Sequence, residues 1–353
     1  MTTAETRAGA LPDLADVPAR ELQVAVLGVG MMGADHVARL YSRISGAQVV
    51  AVSDAFTEKA EQVAATVPGC RVIGDPLAAI ADDDVDAVLI ATPGQFHEEQ
   101  VLACIERGKP VLCEKPLTME AASSLALVRA EDEYAARTGR RLVQVGFMRR
   151  FDPEYAALAR LLDSGELGRP LLVHHVHRNK DVPGWFTSEM VVRDSLAHEV
   201  DVCRWLFCEE VAEITVYAPT PVDRAAGGLV DPQVAVLRMG GGGIATCEVF
   251  VRSGVGYEVR CEVSAERGNA TIGLDGGVLV RAANRWGGAV PDDFRERFAA
   301  AYDAEVRAWV DACRRGEVVG PTAWDGYAAA AVCEAGVASL LSGSPVPVRL
   351  EDR

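Results

Sequence analysis

The stretch VAVLGVGMMGADH, Val24 to His36, decides the fold of the first half of the chain. Val24–Leu27 are apolar without interruption, the pattern of a strand buried on both faces. Gly28-x-Gly30-x-x-Gly33 follows at once, and MMGADHVARLYSRI then has the periodicity of a helix. Such a glycine pattern alone is common. Between a buried strand and a helix it has a mechanism. Gly28 permits the tight turn, Gly30 lets the backbone approach a pyrophosphate, and Gly33 lets the helix pack on the strand with its N-terminus facing the phosphates. Met31 and Met32 open that helix and belong to the same turn. Asp54 ends the next strand, about 20 residues beyond the last glycine. A carboxylate there accepts hydrogen bonds from a ribose 2′-hydroxyl and repels a 2′-phosphate. No arginine follows in SDAFTEK. The turn therefore predicts NAD rather than NADP.

Outward from this turn, short apolar runs alternate with helical patterns. AQVVAVSD, VDAVLIATP, PVLCEKP and RLVQVGFMRRF (141–151) read as further strands, with helices between them. That alternation predicts a parallel sheet covered on both faces. IATPGQFHEEQV (90–101) is a strand end, a turn and a helix start. It stands at the carboxyl edge of the sheet, where cofactors bind. Thr92 and His97 are candidates to contact the nicotinamide ribose. His97 reads equally as a helix-start residue that contacts nothing. The second half carries longer strands. Gly240–Gly243 separates two β-like runs as a hairpin turn would, and two alanine-rich helices come late. The expected architecture is an α/β Rossmann domain at 21–145 and an α+β domain with a large open, mainly antiparallel sheet at 146–353.

Composition narrows the function. The chain has 353 residues, 49% of them hydrophobic, and a formal net charge of −16. A basic surface is what nucleic acid rewards, so nucleic acid is not an expected partner. An acidic chain suits a neutral or cationic small substrate, although solubility alone explains it as well. Nine scattered cysteines with no C-x-x-C pair point to free thiols in a reducing cytoplasm. Residues 1–20 lack an apolar core of the signal-peptide kind and read as a flexible extension. No apolar run approaches the roughly 20 residues of a membrane span.

The helix-like stretch VVRDSLAHEVDVCRW, 191–205, places Asp194, His198 and Asp201 on one face at spacings of four and three. An acid one turn before a histidine suits proton handling: imidazole accepts a proton near neutral pH, and a carboxylate fixes its tautomer. The same pattern also occurs as an ordinary exposed acid–base pair. Asp201 competes with Asp194 as the orienting acid. VHHVHRNK, 173–180, suggests a metal, with His175 and His177 on one side of a strand and His174 on the other. Zinc wants about four converging ligands, and no second Cys or His cluster answers, so no metal is expected. Arg149 and Arg150 adjoin, so one is expected at a pocket and the other exposed.

CEKPL, 113–117, adds a sharper signal. Glu114-Lys115-Pro116 after a strand, downstream of this nucleotide turn, resembles the glucose–fructose oxidoreductase/inositol dehydrogenase/rhizopine catabolism (Gfo/Idh/MocA) family. RLVQVGFMRRFDPEY, HRNKDVPGWFTSEM, DSLAHEVDVCRWL, GYEVRCEV and GPTAWDGYAAA, in that order, are similar to its inositol 2-dehydrogenase branch. The resemblance covers nearly the whole chain after residue 20. It implies NAD-dependent oxidation of a ring hydroxyl, myo-inositol to its 2-keto form, or the same chemistry on another sugar, aminocyclitol or aminoglycoside intermediate. It implies a homodimer or homotetramer. It assigns Lys115, Asp194 and His198 to catalysis, and Glu114 to the cofactor side with the glycine turn. It places Met148, Arg149, His177, Asn179 and Tyr257 in the cyclitol pocket. The sequence departs from that branch at Trp185, Arg193, Arg252 and Val255, which leaves the identity of the substrate open.

Overall fold

A computed structural model describes residues 20–220, 229–274, 280–282 and 285–352. The expected N-terminal extension lies outside them apart from Arg20. The apolar runs of the first half form β1 Leu22–Leu27, β2 Ala47–Ser53, β3 Arg71–Val72, β4 Ala87–Ile90, β5 Val111–Glu114 and β6 Val143–Gly146. They pair in parallel in the order β3-β2-β1-β4-β5-β6. Val24–Leu27 and Ala87–Ile90 are fully buried, as strands covered on both faces must be. The strand order reverses between β1 and β4, and that switch opens a crevice at the carboxyl ends of the strands. The glycine turn leaves β1 there, and Thr92 follows β4 at the same edge.

The run 141–151 departs from the expected single strand. β6 ends at Gly146, and Met148–Phe151 is a 3-10 turn. Phe147 N–H donates back to Val145 O at 2.8 Å, and Arg150 N–H to Phe147 O at 3.2 Å. The turn takes Arg149 and Arg150 out of the sheet to buried carboxylates described below.

The second sheet contains β7 Pro170–Arg178, β8 Val211–Tyr217, β9 Gln233–Met239, β10 Ile244–Phe250, β11 Glu258–Ala265 and β12 Gly268–Ile272. A separate ribbon, β13 Val280–Ala282 and β14 Arg285–Gly287, precedes β15 Val346–Pro347. The sheet order is β12-β11-β7-β10-β9-β8-β15. All its pairs are antiparallel except β7 with β10. The glycine run closes the β9–β10 hairpin, with Met239 N–H donating to Gly243 O at 2.9 Å. One face packs on the helices Ala197–Phe207 and Ala323–Ser342 in a shared core with Val173, Val200, Cys247 and Val249. The late helix Ala299–Arg315 returns to the first sheet. Its Val306, Trp309 and Val310 pack against Val24, Val26 and Val49.

His175 sits on the buried face of β7 between its register partners Cys247 and Cys261. Neither ring nitrogen has a hydrogen-bond partner among the described residues. Burial pushes its pKa down to about 4. An unfolded histidine titrates near ~6.5, so between those values unfolding takes up a proton. Stability is therefore intact above about pH 6.5 and drains as pH falls, by roughly 1.4 kcal/mol per pH unit for this group. His175→Met is expected to flatten this acid limb by about one proton in urea unfolding between neutral pH and ~pH 4.5. Parallel limbs in the two proteins would contradict the account.

Candidate active site

The glycine turn is built for a ligand. Gly28 has φ +79°, and a Cβ there would stand 2.6 Å from Ala91 O. A Cβ on Gly33 would stand 1.8 Å from Gly28 O, so the helix Met31–Ser42 (α1) could not pack as it does. Gly30 has open space around the same position. Its side of the turn therefore lies bare beside the α1 N-terminus, which has no side-chain cap. These are the features a pyrophosphate requires. Asp54 is fixed beside them. Its Oδ2 accepts from Val29 N–H at 2.8 Å and its Oδ1 from Phe56 N–H at 2.9 Å.

Next to this turn is a cavity of about 290 Å³, lined from both sheets. Met31, Met32, Thr92, Glu114, Lys115, Met148, His177, Asn179, Asp194, His198 and Tyr257 all line it. Lys115 follows β5 and precedes a cis peptide bond to Pro116. Its Nζ donates to Asp194 Oδ1 at 2.6 Å and to Asp194 O at 3.2 Å. Glu114 Oε1 takes His36 Nε2 at 2.8 Å, tying α1 to the Lys115 turn.

The expected Asp194–His198 pair is not what forms. Val191–Leu196 is a π-helix that becomes α-helical at Ala197. Its wider turn changes the angular spacing on which the four-residue argument rests. Asp194 holds Lys115 instead, and no described hydrogen bond joins it to His198. Asp201 does not orient His198 either. It is fully buried and accepts from Arg150 Nε at 3.0 Å and Nη2 at 2.5 Å. His198 Nδ1 is buried without a partner among the described residues, and the ring meets Phe147 and His177 edge-on. Burial, then the positive charges of Lys115 and Arg149, push the His198 pKa well below its ordinary value. The imidazole is therefore neutral at physiological pH and able to take a proton.

Two further residues differ from expectation. His97 is buried, with Nδ1 2.8 Å from Pro116 O and Nε2 2.8 Å from Thr92 O. Both ring nitrogens lie against backbone carbonyls, of which a neutral imidazole can donate to one, so the side chain is held between two pocket loops. Arg149 lies beneath the cavity rather than in its lining. Its guanidinium pairs with the fully buried Glu199, and Nη2 approaches His177 Nδ1 at 3.3 Å. Arg150 is not a free surface charge, because it also pairs with Asp325 at 2.8 Å. Sequence reading missed Glu199, and missed Ser195, Phe294 and Tyr302 in the lining. A glutamate in a helix is ordinarily exposed, and only its position next to His198 set it apart.

None of the four sequence departures lines this cavity. Arg252 is clamped to Asp231, with Nη2 2.8 Å from Oδ1 and its backbone N–H 3.0 Å from Oδ2. Val255 borders a separate cavity of about 770 Å³ beyond Tyr257. That larger space shares only Tyr257 with the residues above, and its carboxylates Glu154, Glu248 and Glu258 are each paired with an arginine, Arg297 or Arg178. Among the described residues no group of three metal-ligating side chains converges.

Residues 22–147 match the model of an oxidoreductase family with an NAD-binding Rossmann fold, and residues 155–271 match the GFO/IDH/MocA C-terminal domain. The chain is 59% identical to inositol 2-dehydrogenase 1 of Mycolicibacterium vanbaalenii over 339 residues, 94% of this chain and 98% of the relative. It is 56% identical to inositol 2-dehydrogenase of Mycolicibacterium smegmatis, with 94% and 98% covered. Among solved structures, it resembles myo-inositol dehydrogenase from Lactobacillus casei in complex with NAD(H) and myo-inositol. That likeness has a TM-score of 0.89 and 34% identity, covering 94% of this chain and 98% of that one.

Proposed function

Because the chain belongs to the GFO/IDH/MocA oxidoreductase family, we propose that it oxidises myo-inositol to 2-keto-myo-inositol with NAD. The observation that carries this reading is the meeting of a Lys115–Asp194 ion pair and a neutral His198 in one cavity beside an open glycine turn. In it, residues 21–145 bind the cofactor and 146–353 supply most of the substrate pocket.

NAD, when bound, supplies the hydride acceptor. The bare Gly30 backbone and the α1 N-terminus would hold its pyrophosphate, and Asp54 its adenosine ribose. The remaining work falls to side chains. His198 takes the hydroxyl proton at Nε2, since Nδ1 is buried. Lys115 donates a hydrogen bond to the same oxygen and stabilises the negative charge that develops on it. Asp194 keeps the ammonium in place. Asn179, His177 and Tyr257 supply polar contacts for the other ring hydroxyls. A neutral polyol fits better than an aminocyclitol. The carboxylates in the lining, Glu114 and Asp194, already face His36 and Lys115, which leaves an ammonium group no unshared anion.

Asp54→Ser is expected to relax the preference for NAD. The ratio of kcat/KM with NAD to that with NADP should fall by about tenfold or more, through loss of ribose hydrogen bonds and of charge repulsion. An unchanged ratio would remove Asp54 from this role.

The enzyme is cytoplasmic in this reading, supported by nine cysteines that form no disulfide. No helix among the described residues is long and apolar enough to cross a membrane. Val234 and Ile244 lie exposed on one face of the second sheet, which supports a homodimer or homotetramer formed through that face. The test of the function is nicotinamide absorbance with NAD and a panel of cyclitols, sugars and amino sugars. Turnover led by myo-inositol supports the reading, and turnover confined to an amino sugar overturns it.

A further inference from the structure

His177 reaches the cavity from β7, and what lies behind its ring decides what it can offer there. Nδ1 is 3.2 Å from Glu199 Oε2 and 3.2 Å from Oε1. Glu199 has no exposed surface, and neither has the Arg149 guanidinium beyond about one percent. Burial opposes ionisation of Glu199, but Arg149 and His177 outweigh it and hold the carboxyl well below the usual carboxylate range. An ionised carboxylate carries no proton and only accepts. A lone pair on Nδ1 would face two anionic oxygens at equal distance. Arg149 Nη2 also approaches Nδ1, at 3.3 Å. A guanidinium only donates, so this contact competes for a lone pair on Nδ1, one donor against the two carboxylate oxygens, while Nη1 is committed to Glu199.

We infer that Glu199, locked by Arg149, is a positioning residue that fixes His177 in the tautomer with its proton on Nδ1. Nε2, which has no described hydrogen bond, then faces the cavity as an acceptor. His177 selects a hydroxyl that donates, and discriminates against a group that only accepts. This is how an outer partner sets the ring nitrogen a histidine presents. The identity of that hydroxyl rests on the cyclitol reading, whereas the tautomer itself does not.

The test uses singly fluorinated deoxyinositols, in which fluorine accepts weakly and cannot donate. With the wild-type enzyme, fluorine at one non-reacting position is expected to raise KM about tenfold, the worth of one lost hydrogen bond. In Glu199→Gln the amide carbonyl faces Arg149 and the amide N–H₂ faces Nδ1. The tautomer inverts, and that penalty should shrink to less than about threefold. KM for NAD should not change. An equal penalty in both proteins would overturn the inference. Removing the charge from one side of a buried ion pair is costly, so a second measurement covers a variant that does not fold. The wild-type protein with NAD alone then decides. Histidine ¹⁵N spectra, assigned with His177→Gln, should show His177 protonated at Nδ1 and bare at Nε2. A proton on Nε2, with or without one on Nδ1, would overturn the inference even if no cyclitol is turned over. Absence of cyclitol turnover with the expected ¹⁵N pattern would count against the substrate alone.

Discussion

His198→Ala is expected to lower kcat about a thousandfold, within the range that one general base contributes, while NAD(H) still binds with unchanged affinity. Two features of the site give this result its detail. The ring is 8% exposed at the cavity wall, and its pKa is depressed by burial, Lys115 and Arg149. A base with a depressed pKa stays unprotonated through the neutral range. The acid limb of kcat/KM should therefore lie well below the ordinary histidine value in the wild type. In the alanine variant that limb should disappear along with most of the activity. Stopped-flow turnover across pH, with NADH fluorescence as the binding control, measures both. Turnover within a few-fold of wild type would take His198 out of the reaction.

Lys115→Met should cost a comparable factor, about 10²–10³ in kcat, because it removes the donor aimed at the developing alkoxide. It carries a second signature. The Lys115 charge is the second-largest cause of the His198 depression after burial. Its loss, with Asp194 left unpaired close by, should raise the His198 pKa. The acid limb of the residual activity should then move toward neutral pH. Removing a positive neighbour favours the protonated imidazole. Loss of activity with an unmoved acid limb would keep Lys115 catalytic but deny its electrostatic coupling to His198.

The features legible in the sequence are those whose meaning is local. Gly28 and Gly30 sit in the turn after β1, Gly33 in the first turn of α1, and Asp54 directly follows the adjacent strand. The Glu114-Lys115-Pro116 motif follows a strand directly. Strand alternation on β7 separated His174 from His175 and His177, as their burial shows. What was hidden depends on partners far along the chain. Lys115 and Asp194 are 79 residues apart, and Arg149 and Glu199 are 50 apart. No spacing rule announces either pair. Asp194 leaves the expected helix face for a different reason: nothing in VVRDSL signals a π-helix, and one wide turn is enough to redirect a carboxylate from a histidine to a lysine. His97 was legible as a residue at the sheet edge. Its role in joining Thr92 to Pro116 needed both loops in place.

The proposed chemistry draws on contacts that a helix-face dyad lacks. Lys115 has a dedicated anchor, His198 is free to accept, and His177 has a buried support of its own. The departures at Trp185, Arg193, Arg252 and Val255 lie outside the cavity, so they do not argue for an unusual substrate.

The most direct test of the central claim is turnover of myo-inositol carrying deuterium at C2, with NAD and the wild-type enzyme. The account predicts that the deuterium appears on the nicotinamide ring of the reduced cofactor, as read by mass spectrometry, with 2-keto-myo-inositol as the organic product. Reduced cofactor without the label, or no reduced cofactor at all, would contradict it.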